Sequence, residues 1–383
     1  MRPSTLPILI LLPFLVTIFS LDIYILAFNR TDSLLQCLAS LRNAVYPPNP
    51  NIRLTVQVDR RPDGTINETL IRALNESPQW PHGPEIRIKV QANHVGLQQQ
   101  WLSVKARNYT LIMEDDVIIS PAYFCILQAA IRRDSNALLG VTLQRPQWQQ
   151  GQNEHGRWRR LNLISPSHPA AFTFMGPATW GVLVYPKQWN RFLRWARLFM
   201  ANPKRQYTSG AITTKWMNER GKDKLITPLM FEFMKTHDLA FINFWIGNDT
   251  ALAVSRSLET NSWLTRYYQD ELLGVSRKIV EIVNMLQSDQ PLPRYSGCLD
   301  RIRENRKRHP SLETDRINKF LRDACRMTDY FEAPNITWAQ VQTRLKEFCP
   351  TLGSMDYLPN RATMQCPYKK GMYPDYSDST GLS

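Results

Sequence analysis

Hydrophobic and polar residues alternate between two periods along the first half of the chain. Short apolar runs that suit buried strands are each followed by a segment with apolar residues at helical spacing. The first pair is a strand at Ile23–Phe28 and a helix opened by the N-cap residues Thr31–Ser33. Further strands are predicted at Arg53–Asp59, Glu85–Ala92 and Tyr109–Met113, and helices at Ile66–Asn75 and Gly96–Asn108. This alternation predicts an α/β fold with a mostly parallel sheet and helices on both faces.

The pattern continues to about residue 255 and then changes. The predicted elements here are a helix at Ser120–Arg133, strands at Leu138–Leu143 and Thr179–Tyr185, a helix at Lys187–Met200 and a last strand at Leu239–Phe244. The polar stretch Trp148–Arg160 is expected to be a long loop near the ligand. An amphipathic helix predicted at Tyr267–Leu286 opens a basic region whose apolar stripe suits core packing. We therefore divide the chain into residues 1–21, an α/β domain at 22–255 and a mainly helical C-terminal region at 256–383.

Three consecutive carboxylates, Glu114, Asp115 and Asp116, end the apolar run Leu111–Met113. In open α/β sheets ligands bind at the carboxyl ends of the strands, so these acids are placed to meet a ligand. Neighbouring carboxylates repel one another unless a cation or a proton intervenes, and Mg²⁺ and Mn²⁺ prefer oxygen ligands shared with phosphates. The triplet therefore favours a metal-bridged nucleotide. A solvated acidic turn is the alternative.

The charge of the chain favours anionic partners. Lys and Arg number 47 against 33 Asp and Glu, which gives a formal charge of +14 and a pI near 9.6. Nucleotide sugars, acidic glycans, phospholipid surfaces and nucleic acid all fit this sign. The sequence carries no zinc-finger spacing, RNA-binding aromatic motif or Walker phosphate loop, so no nucleic-acid partner is expected.

The amino-terminal segment is a candidate signal peptide or signal anchor. Its apolar run, Leu6–Leu21, follows Arg2. As a helix it would span about 24 Å, whereas the hydrocarbon core of a bilayer is about 30 Å thick. Extending it through Phe28 would consume the first predicted strand. A cleaved signal, an anchor with almost no stem and a sequence lacking residues at this end all remain open.

Sequons and cysteines favour a luminal or secreted protein. The six sequons begin at Asn29, Asn67, Asn75, Asn108, Asn248 and Asn335. Four of the six cysteines lie in the last quarter of the chain, at Cys298, Cys325, Cys349 and Cys366. They favour two disulfides with three possible connectivities, the alternatives being buried thiols or a zinc site. Cys37 and Cys125 fall on predicted helices and are expected to be buried thiols.

As an ordered set, several motifs resemble glycosyltransferases of the GT-A fold, especially the N-acetylglucosaminyltransferase I type and eukaryotic family-two-like glycosyltransferases. The matching segments are Ile25–Arg30, Val56–Asp59, Asn93–Leu97 with Trp101, Met113–Val117 with Pro121 and Phe124, and Phe174–Pro177 with Trp180 and Gly181. The resemblance covers about residues 22–245. It implies a GT-A type Rossmann-like sheet, beside a disulfide-stapled helical C-terminal region. The implied reaction is transfer of a sugar from a nucleotide sugar, expected to be a UDP-sugar, to a glycan, protein or lipid.

The resemblance also implies roles for individual residues. Asp116, with Asp115 beside it, would hold Mn²⁺ or Mg²⁺ between the donor phosphates. Glu114 and Asp115 would contact the ribose and metal-bound water. The remaining implied contacts are Asn29, Arg30 and Asp59 with the base and ribose, and Trp180 and Gly181 on the acceptor side. The implied location is a Golgi or ER membrane with a luminal catalytic domain, as a single-pass type II protein, or secretion if the segment is cleaved.

The catalytic base is unassigned. In the related enzymes an acid directly precedes a Trp-Met pair, but here Trp216 and Met217 follow Thr214 and Lys215. The nearby candidates are Glu219, Asp223, Glu232 and Asp238. Two other classes therefore stay open: a non-catalytic GT-A-like lectin or scaffold protein, and a metal-dependent phospho- or nucleotidyltransferase. The histidines that could complete a metal shell, or be structural, are His94, His155 and His237.

Overall fold

A computed structural model describes residues 20–48, 50–146, 148–152, 158–160, 170–205, 207, 225–246, 250–255, 271–274 and 277–295. In chain order its strands are β1 (Ser20–Ala27), β2 (Asn51–Val58), β3 (Arg87–Val90), β4 (Tyr109–Glu114), β5 (Val117–Ile119), β6 (Leu138–Thr142), β7 (Trp148–Gln152), β8 (Trp158–Arg160), β9 (Ala171–Phe174), β10 (Val182–Val184), β11 (Ala240–Phe244), β12 (Thr250–Ala251), β13 (Ala253–Ser255), β14 (Glu271–Leu272) and β15 (Arg294–Tyr295). The helices are α1 (Thr31–Arg42), α2 (Glu68–Asn75), α3 (Gly96–Ser103), α4 (Tyr123–Ala130), α5 (Pro186–Ala201), α6 (Ile226–His237) and α7 (Arg277–Gln287), and a 3-10 turn at Ile131–Arg133 extends α4.

Within these residues, nine strands form one mixed sheet in the order β15-β9-β11-β6-β10-β4-β1-β2-β3. β1 pairs in parallel with β2 and β4, and β2 pairs in parallel with β3, so four neighbouring strands end at the same edge. β10 runs antiparallel to β4 and β6, and β9 runs antiparallel to β11. The fold is therefore mixed α/β and Rossmann-like, with a large, mostly parallel sheet. Its four-strand parallel part presents a continuous carboxyl edge.

Alternating side chains of β1 contribute to two separate cores. Ile23 and Ile25 pack into the core that includes residues of α1, α2, α4 and α7. Leu26 belongs to a second core with residues of α3, α5 and α6. Successive side chains of a strand point to opposite faces of its sheet, so a central parallel strand is apolar almost throughout. The prediction of helices on both faces is confirmed.

Two predicted segments differ from the structure. Glu271–Leu272 forms β14, which pairs with β12, so the helix predicted at Tyr267–Leu286 begins only at Arg277. Its apolar stripe packs in the core, as expected. The stretch Trp148–Arg160, expected to be a loop, contains the antiparallel pair β7 and β8. β8 and β14 have only three and two residues, too few to show a period, so their partners decide their conformation.

The last described residues complete the layers that the earlier ones begin. α7 packs against α4, and β15 pairs with β9 at the edge of the main sheet. Arg133 fixes the end of α7, because its guanidinium donates to the carbonyl oxygens of Met285 (2.7 Å), Leu286 (2.7 Å) and Gln290 (2.9 Å). The domain boundary at residue 255 stays a prediction. The predicted disulfide cysteines lie outside the described residues: Cys298, Cys325, Cys349 and Cys366.

The two cysteines within the described residues differ in their chemical state. Cys37 is a buried free thiol, as expected, but Cys125 is disulfide-bonded to a partner outside the described residues, so the expectation of a thiol there is wrong. Burial does not separate a thiol from a half-cystine, because both are small and apolar.

Ser20 and Leu21, assigned to the amino-terminal segment, begin β1. Among the described residues, no helix is long and apolar enough to cross a membrane.

Candidate functional site

The candidate site lies where β1, β2 and β4 end at the carboxyl edge of the sheet. The ladder places Leu26 of β1 opposite Glu114 of β4, and backbone pairing continues one step further, where the Asp115 N–H donates to the Leu26 carbonyl at 3.0 Å. On the other side of β1, the Asp59 N–H donates to the Ala27 carbonyl at 2.9 Å. The polar residues predicted from the ends of these strands therefore converge on one edge.

The acids Asp115 and Asp116 lie in the turn between β4 and β5 and are almost completely buried. Their exposed fractions are 1% and 6%, whereas Glu114 at the end of β4 is partly buried. β5 is held in place by β13, in which Ser255 is opposite Val117. The turn is thus fixed on both sides by strand pairing, and its carboxylates have little freedom to turn toward water.

Arg30 connects the two buried acids. Its Nη1 donates to Asp116 Oδ2 at 2.6 Å, and its Nη2 donates to Asp115 Oδ1. The backbone N–H of Phe28 donates to the other Asp115 oxygen, Oδ2, at 3.2 Å. Burial lowers the pKa of Arg30, but the neighbouring carboxylates outweigh this effect and raise it. One guanidinium therefore balances part of the charge of three acids.

Asp116 is only half satisfied. Its Oδ2 accepts from Arg30 and from the hydroxyl of Ser255, whose Oγ lies 3.0 Å away. Its Oδ1 is buried and has no hydrogen-bond donor among the described residues. Buried carboxylate oxygens are rarely left without a partner, because loss of hydration is costly. The orphaned oxygen identifies a position where a cation would be stabilised.

Burial also disfavours the charged forms of the other two acids. Desolvation, followed by repulsion from Asp116, raises the pKa of Glu114 to about 8. Desolvation raises the pKa of Asp115 to about 6, although Arg30 opposes the shift. A divalent cation would favour the ionised forms, since it supplies the missing positive charge.

Asp59, at the end of β2, has both oxygens occupied. Its Oδ1 accepts from the backbone N–H groups of Arg60 (2.9 Å) and Val95 (3.0 Å), and its Oδ2 accepts from Gly96 (2.8 Å). His94 Nδ1 lies 3.1 Å from the same Oδ2. Gly96 has a φ of +74°, which glycine adopts readily. The contacts fix the loop that leads into α3, so Asp59 positions this wall of the site.

Asn29 is held by a second amide. Its Oδ1 accepts from Asn67 Nδ2 at 2.8 Å and from Arg61 Nη2 at 3.3 Å. The Asn67 Oδ1 caps α2 by accepting from the Leu70 N–H, and Asn67 is only 8% exposed. Both the amide nitrogen and the amide oxygen of Asn67 are therefore hydrogen-bonded, and this sequon is not open to a glycan in the folded protein.

A small apolar surface flanks these polar groups. Phe28 and Leu97 are each 37% exposed, and the Phe28 ring lies 5.9 Å from the His94 ring. His94 Nδ1 donates to the Arg60 carbonyl at 2.6 Å, so this histidine belongs to the loop and contacts Asp59 rather than the three acids. An exposed ring beside charged groups suits stacking against a planar ligand.

The predicted acceptor-side residues precede β10. Val182 pairs with Ile112, so Trp180 and Gly181 lie toward the carboxyl end of β4. Trp180 is partly exposed, and its backbone N–H donates to Gln144 Oε1 at 3.4 Å. Gly181 has a φ of +73°, and a Cβ there would lie 3.2 Å from Leu143, so the turn requires glycine.

Two of the four candidate bases, Glu232 and Asp238, lie among the described residues. Asp238 caps the end of α6 and precedes β11, which runs parallel to β6, so it lies at the amino edge of the sheet. Glu232 is buried within α6. Glu219 and Asp223 lie outside the described residues, as does His155, while His237 contacts the Phe233 carbonyl within α6.

The residues present fit a cation held partly by the ligand. Among the described residues, no group of three or more His, Cys, Asp and Glu side chains is arranged to hold a metal ion. Mg²⁺ is nevertheless commonly bound by one or two carboxylates together with phosphates of the substrate. Asp116 Oδ1, an orphaned hard oxygen, matches that second kind of site. Asp115 would stay committed to Arg30 and Phe28.

Sequence reasoning missed two of these contacts. Ser255 follows Asp116 by 139 residues and lies in a three-residue strand, so no local pattern connects them. The pairing of Arg30 with Asp115 and Asp116 was also unforeseen, since Arg30 was expected to meet the nucleotide. The sequence signal for this pairing is an arginine just after the end of a strand, at the same edge of the sheet as the acids.

No protein-family model matches the chain, and no curated protein matches it. Among solved structures, the mannosyltransferase PcManGT from Pyrobaculum calidifontis, in complex with GDP-Man and Mn²⁺, aligns at 14% identity with a TM-score of 0.26. That alignment covers 33% of this chain and only 35% of the mannosyltransferase. TarS 1–349 from S. aureus aligns at 10% identity with a TM-score of 0.32, over 86% of this chain and 80% of TarS. At TM-scores this low, neither superposition establishes a shared fold or function.

Proposed function

We propose that the protein is a metal-dependent glycosyltransferase of the GT-A type, which transfers a sugar from a nucleotide sugar to a glycan, protein or lipid acceptor. The observation that carries the proposal is Asp116, a buried acid at the carboxyl edge of the sheet whose Oδ1 has no hydrogen-bond donor among the described residues. A UDP-sugar is the donor we expect, and Mn²⁺ or Mg²⁺ the cation.

The charges at this edge suit a nucleoside diphosphate. Arg30 provides a planar guanidinium, which matches phosphate oxygens well, and a cation on Asp116 would add further positive charge. Burial raises the pKa of Glu114 to about 8, and Arg30 balances the charge of Asp115, so the repulsion of these two acids toward phosphates is reduced. A metal bound here would stabilise the charge that develops on the leaving diphosphate.

The remaining residues would fix the donor by shape. Asp59 holds the loop at Val95 and Gly96 and thus the position of His94, and Asn29 is oriented by Asn67. The exposed face of Phe28 offers a surface for the base. Pre-formed walls of this kind lower the entropy lost on binding and orient the reacting bond. On this proposal Trp180 and Gly181 border the acceptor.

We propose further that the protein works in the secretory pathway, in the Golgi or ER membrane, anchored by its amino-terminal segment with the catalytic domain in the lumen. Support comes from the sequence: the apolar run before β1 and the sequons other than those at Asn29 and Asn67, whose side chains lie at the site. The domain division at residue 255 belongs to the same proposal, as does a disulfide-stapled C-terminal region. Its four cysteines cannot all pair with one another, because Cys125 is disulfide-bonded and Cys37 is free.

The test is release of nucleoside diphosphate by the full chain in detergent, across a panel of nucleotide sugars, with Mn²⁺ or with EDTA. Release from one donor that requires both Mn²⁺ and Asp116 is the expected result. Asp289→Asn is the matched control, because Asp289 is an exposed acid beyond α7, away from the site. Nucleoside monophosphate or pyrophosphate as product would instead indicate phosphosugar or nucleotidyl transfer. Failure of the folded protein to bind or cleave any donor would contradict the proposal.

A further inference from the structure

Arg30 and a divalent cation would use neighbouring oxygens of the same carboxylate. Arg30 Nη1 occupies Asp116 Oδ2 at 2.6 Å, while Asp116 Oδ1 has no donor among the described residues. A cation bound to Oδ1 would therefore lie one carboxylate away from the guanidinium. Like charges at this separation repel strongly wherever burial keeps water from screening them, and Asp116 is 6% exposed.

We infer that Arg30 makes metal binding depend on the donor, because its guanidinium opposes a divalent cation at Asp116 until donor phosphates compensate the repulsion. The inference rests on the proposed function and deepens it. A nucleoside diphosphate brings negative charge to both cations at once, and its oxygens match the geometry of a guanidinium. Metal and donor are then bound together, and free metal alone binds weakly.

The structure allows Arg30 to change partners without refolding. Its carbonyl accepts from the Leu34 N–H at 3.0 Å, so the backbone is fixed at the start of α1. The side chain is 28% exposed, whereas its partners Asp115 and Asp116 are buried. Rotation about side-chain bonds is therefore enough to move the guanidinium from Asp116 toward phosphates at the open side of the site. Arg30 therefore acts on metal binding through Asp116, as a positioning residue and not as a ligand of the metal.

The experiment measures binding of Mn²⁺ alone to the full chain in detergent, by the electron paramagnetic resonance signal of free Mn²⁺, with and without UDP. Arg30→Met removes the charge and keeps most of the length of the side chain. It should bind Mn²⁺ at least about tenfold more tightly than the unaltered protein in the absence of UDP. The gain in affinity on adding UDP should shrink correspondingly. Arg30→Lys keeps the charge and should stay close to the unaltered protein.

Equal or weaker Mn²⁺ binding by Arg30→Met would overturn the inference, and so would the absence of Mn²⁺ binding in every variant. If Arg30→Met does not fold, the same comparison is made between Asp115→Asn and the double variant Arg30→Met with Asp115→Asn, in which fewer unpaired acids remain. Sugar transfer is scored separately. Tighter Mn²⁺ binding by Arg30→Met, without donor cleavage by the unaltered protein, would support the role of Arg30 and contradict the proposed function. Donor cleavage with unchanged Mn²⁺ binding in Arg30→Met would support the proposed function and contradict the role of Arg30.

Discussion

Two buried aspartates at the same edge of the sheet have very different surroundings. Asp59 follows β2 and Asp116 follows β4, on either side of β1, and their exposed fractions are 2% and 6%. Asp59 accepts from three backbone N–H groups through both of its oxygens. Within the described part of the chain, Asp116 accepts through Oδ2 alone. Burial therefore does not distinguish the two acids, but the completeness of their hydrogen bonding does.

The largest expected effect is on activity. Asp116→Asn should lower donor cleavage at least about 100-fold, because the amide no longer offers the charge that holds the cation. Its free energy of unfolding should change by no more than about 1 kcal/mol, since loss of the contact with Arg30 is offset by relief of repulsion among the acids. Steady-state kinetics and urea unfolding measure the two quantities. An active, Mn²⁺-dependent Asp116→Asn protein would remove the distinction drawn between the two aspartates.

Asp59→Asn should show the opposite balance. The amide NH₂ would face a backbone N–H of Val95 or Gly96, so at least one hydrogen bond is lost and a donor is left buried. We expect a loss of about 2–3 kcal/mol in the free energy of unfolding, measured with urea. Asp32→Asn, an exposed acid in the first turn of α1, is the control and should be nearly neutral. If Asp59→Asn is as stable as this control but binds donor poorly, Asp59 is a ligand of the nucleotide.

The acids beside Asp116 should make stability depend on pH in EDTA. The pKa values of Glu114 and Asp115 are raised to about 8 and about 6, from ordinary values of 4.5 and 3.8. At a pH between the ordinary and the raised pKa of an acid, the folded protein binds more protons than the unfolded chain. The free energy of unfolding therefore falls as pH rises from about 4.5 to about 8. We expect a decrease of about 1–2 kcal/mol, reduced by the partial exposure of Glu114. Glu114→Gln should flatten the profile measured by thermal unfolding, and an unchanged slope would exclude Glu114 as its source.

The smallest expected effect tests the loop that Asp59 holds. Gly96→Ala introduces a Cβ that meets no atom within 4 Å, so the φ of +74° is the sole source of strain. The cost should be about 1 kcal/mol of unfolding free energy, with donor affinity reduced because the start of α3 shifts. Gly64→Ala, at a φ of +83° in an equally open position outside the contacts of Asp59, is the comparison. It should cost similar stability but leave donor affinity unchanged.

The sequence alone predicts the parallel half of the sheet well. Apolar runs mark β1 and β4, strict alternation of polar and apolar residues marks β2, and the change to Asn29, Asp59 and Glu114 marks where these strands end. Because parallel strands end at one edge, the approximate position of the candidate site follows from local pattern. The division of β1 between two cores follows in the same way from its period of two.

What the sequence could not predict depends on distant partners. Arg30 meets Asp115 across 85 positions, and Ser255 meets Asp116 across 139. The short strands β12 to β15 form only because another strand is in place, so they lack a periodic signal of their own. Whether a buried acid is satisfied is likewise a tertiary property. The satisfied oxygens of Asp59 and the orphaned oxygen of Asp116 look alike in the sequence.

The contact between Arg133 and the end of α7 has a consequence for synthesis. Arg133 and Leu286 are 153 residues apart, and at about 5–20 residues per second a ribosome needs roughly 8–30 s to cover that distance. Until α7 emerges, the part of α4 that contacts α7 has no cover, and β9 lacks β15 as a neighbour. The nascent chain therefore carries an unfinished core for much of its translation. Chaperone protection in that interval, and not only the stability of the finished fold, should govern how much native protein is made.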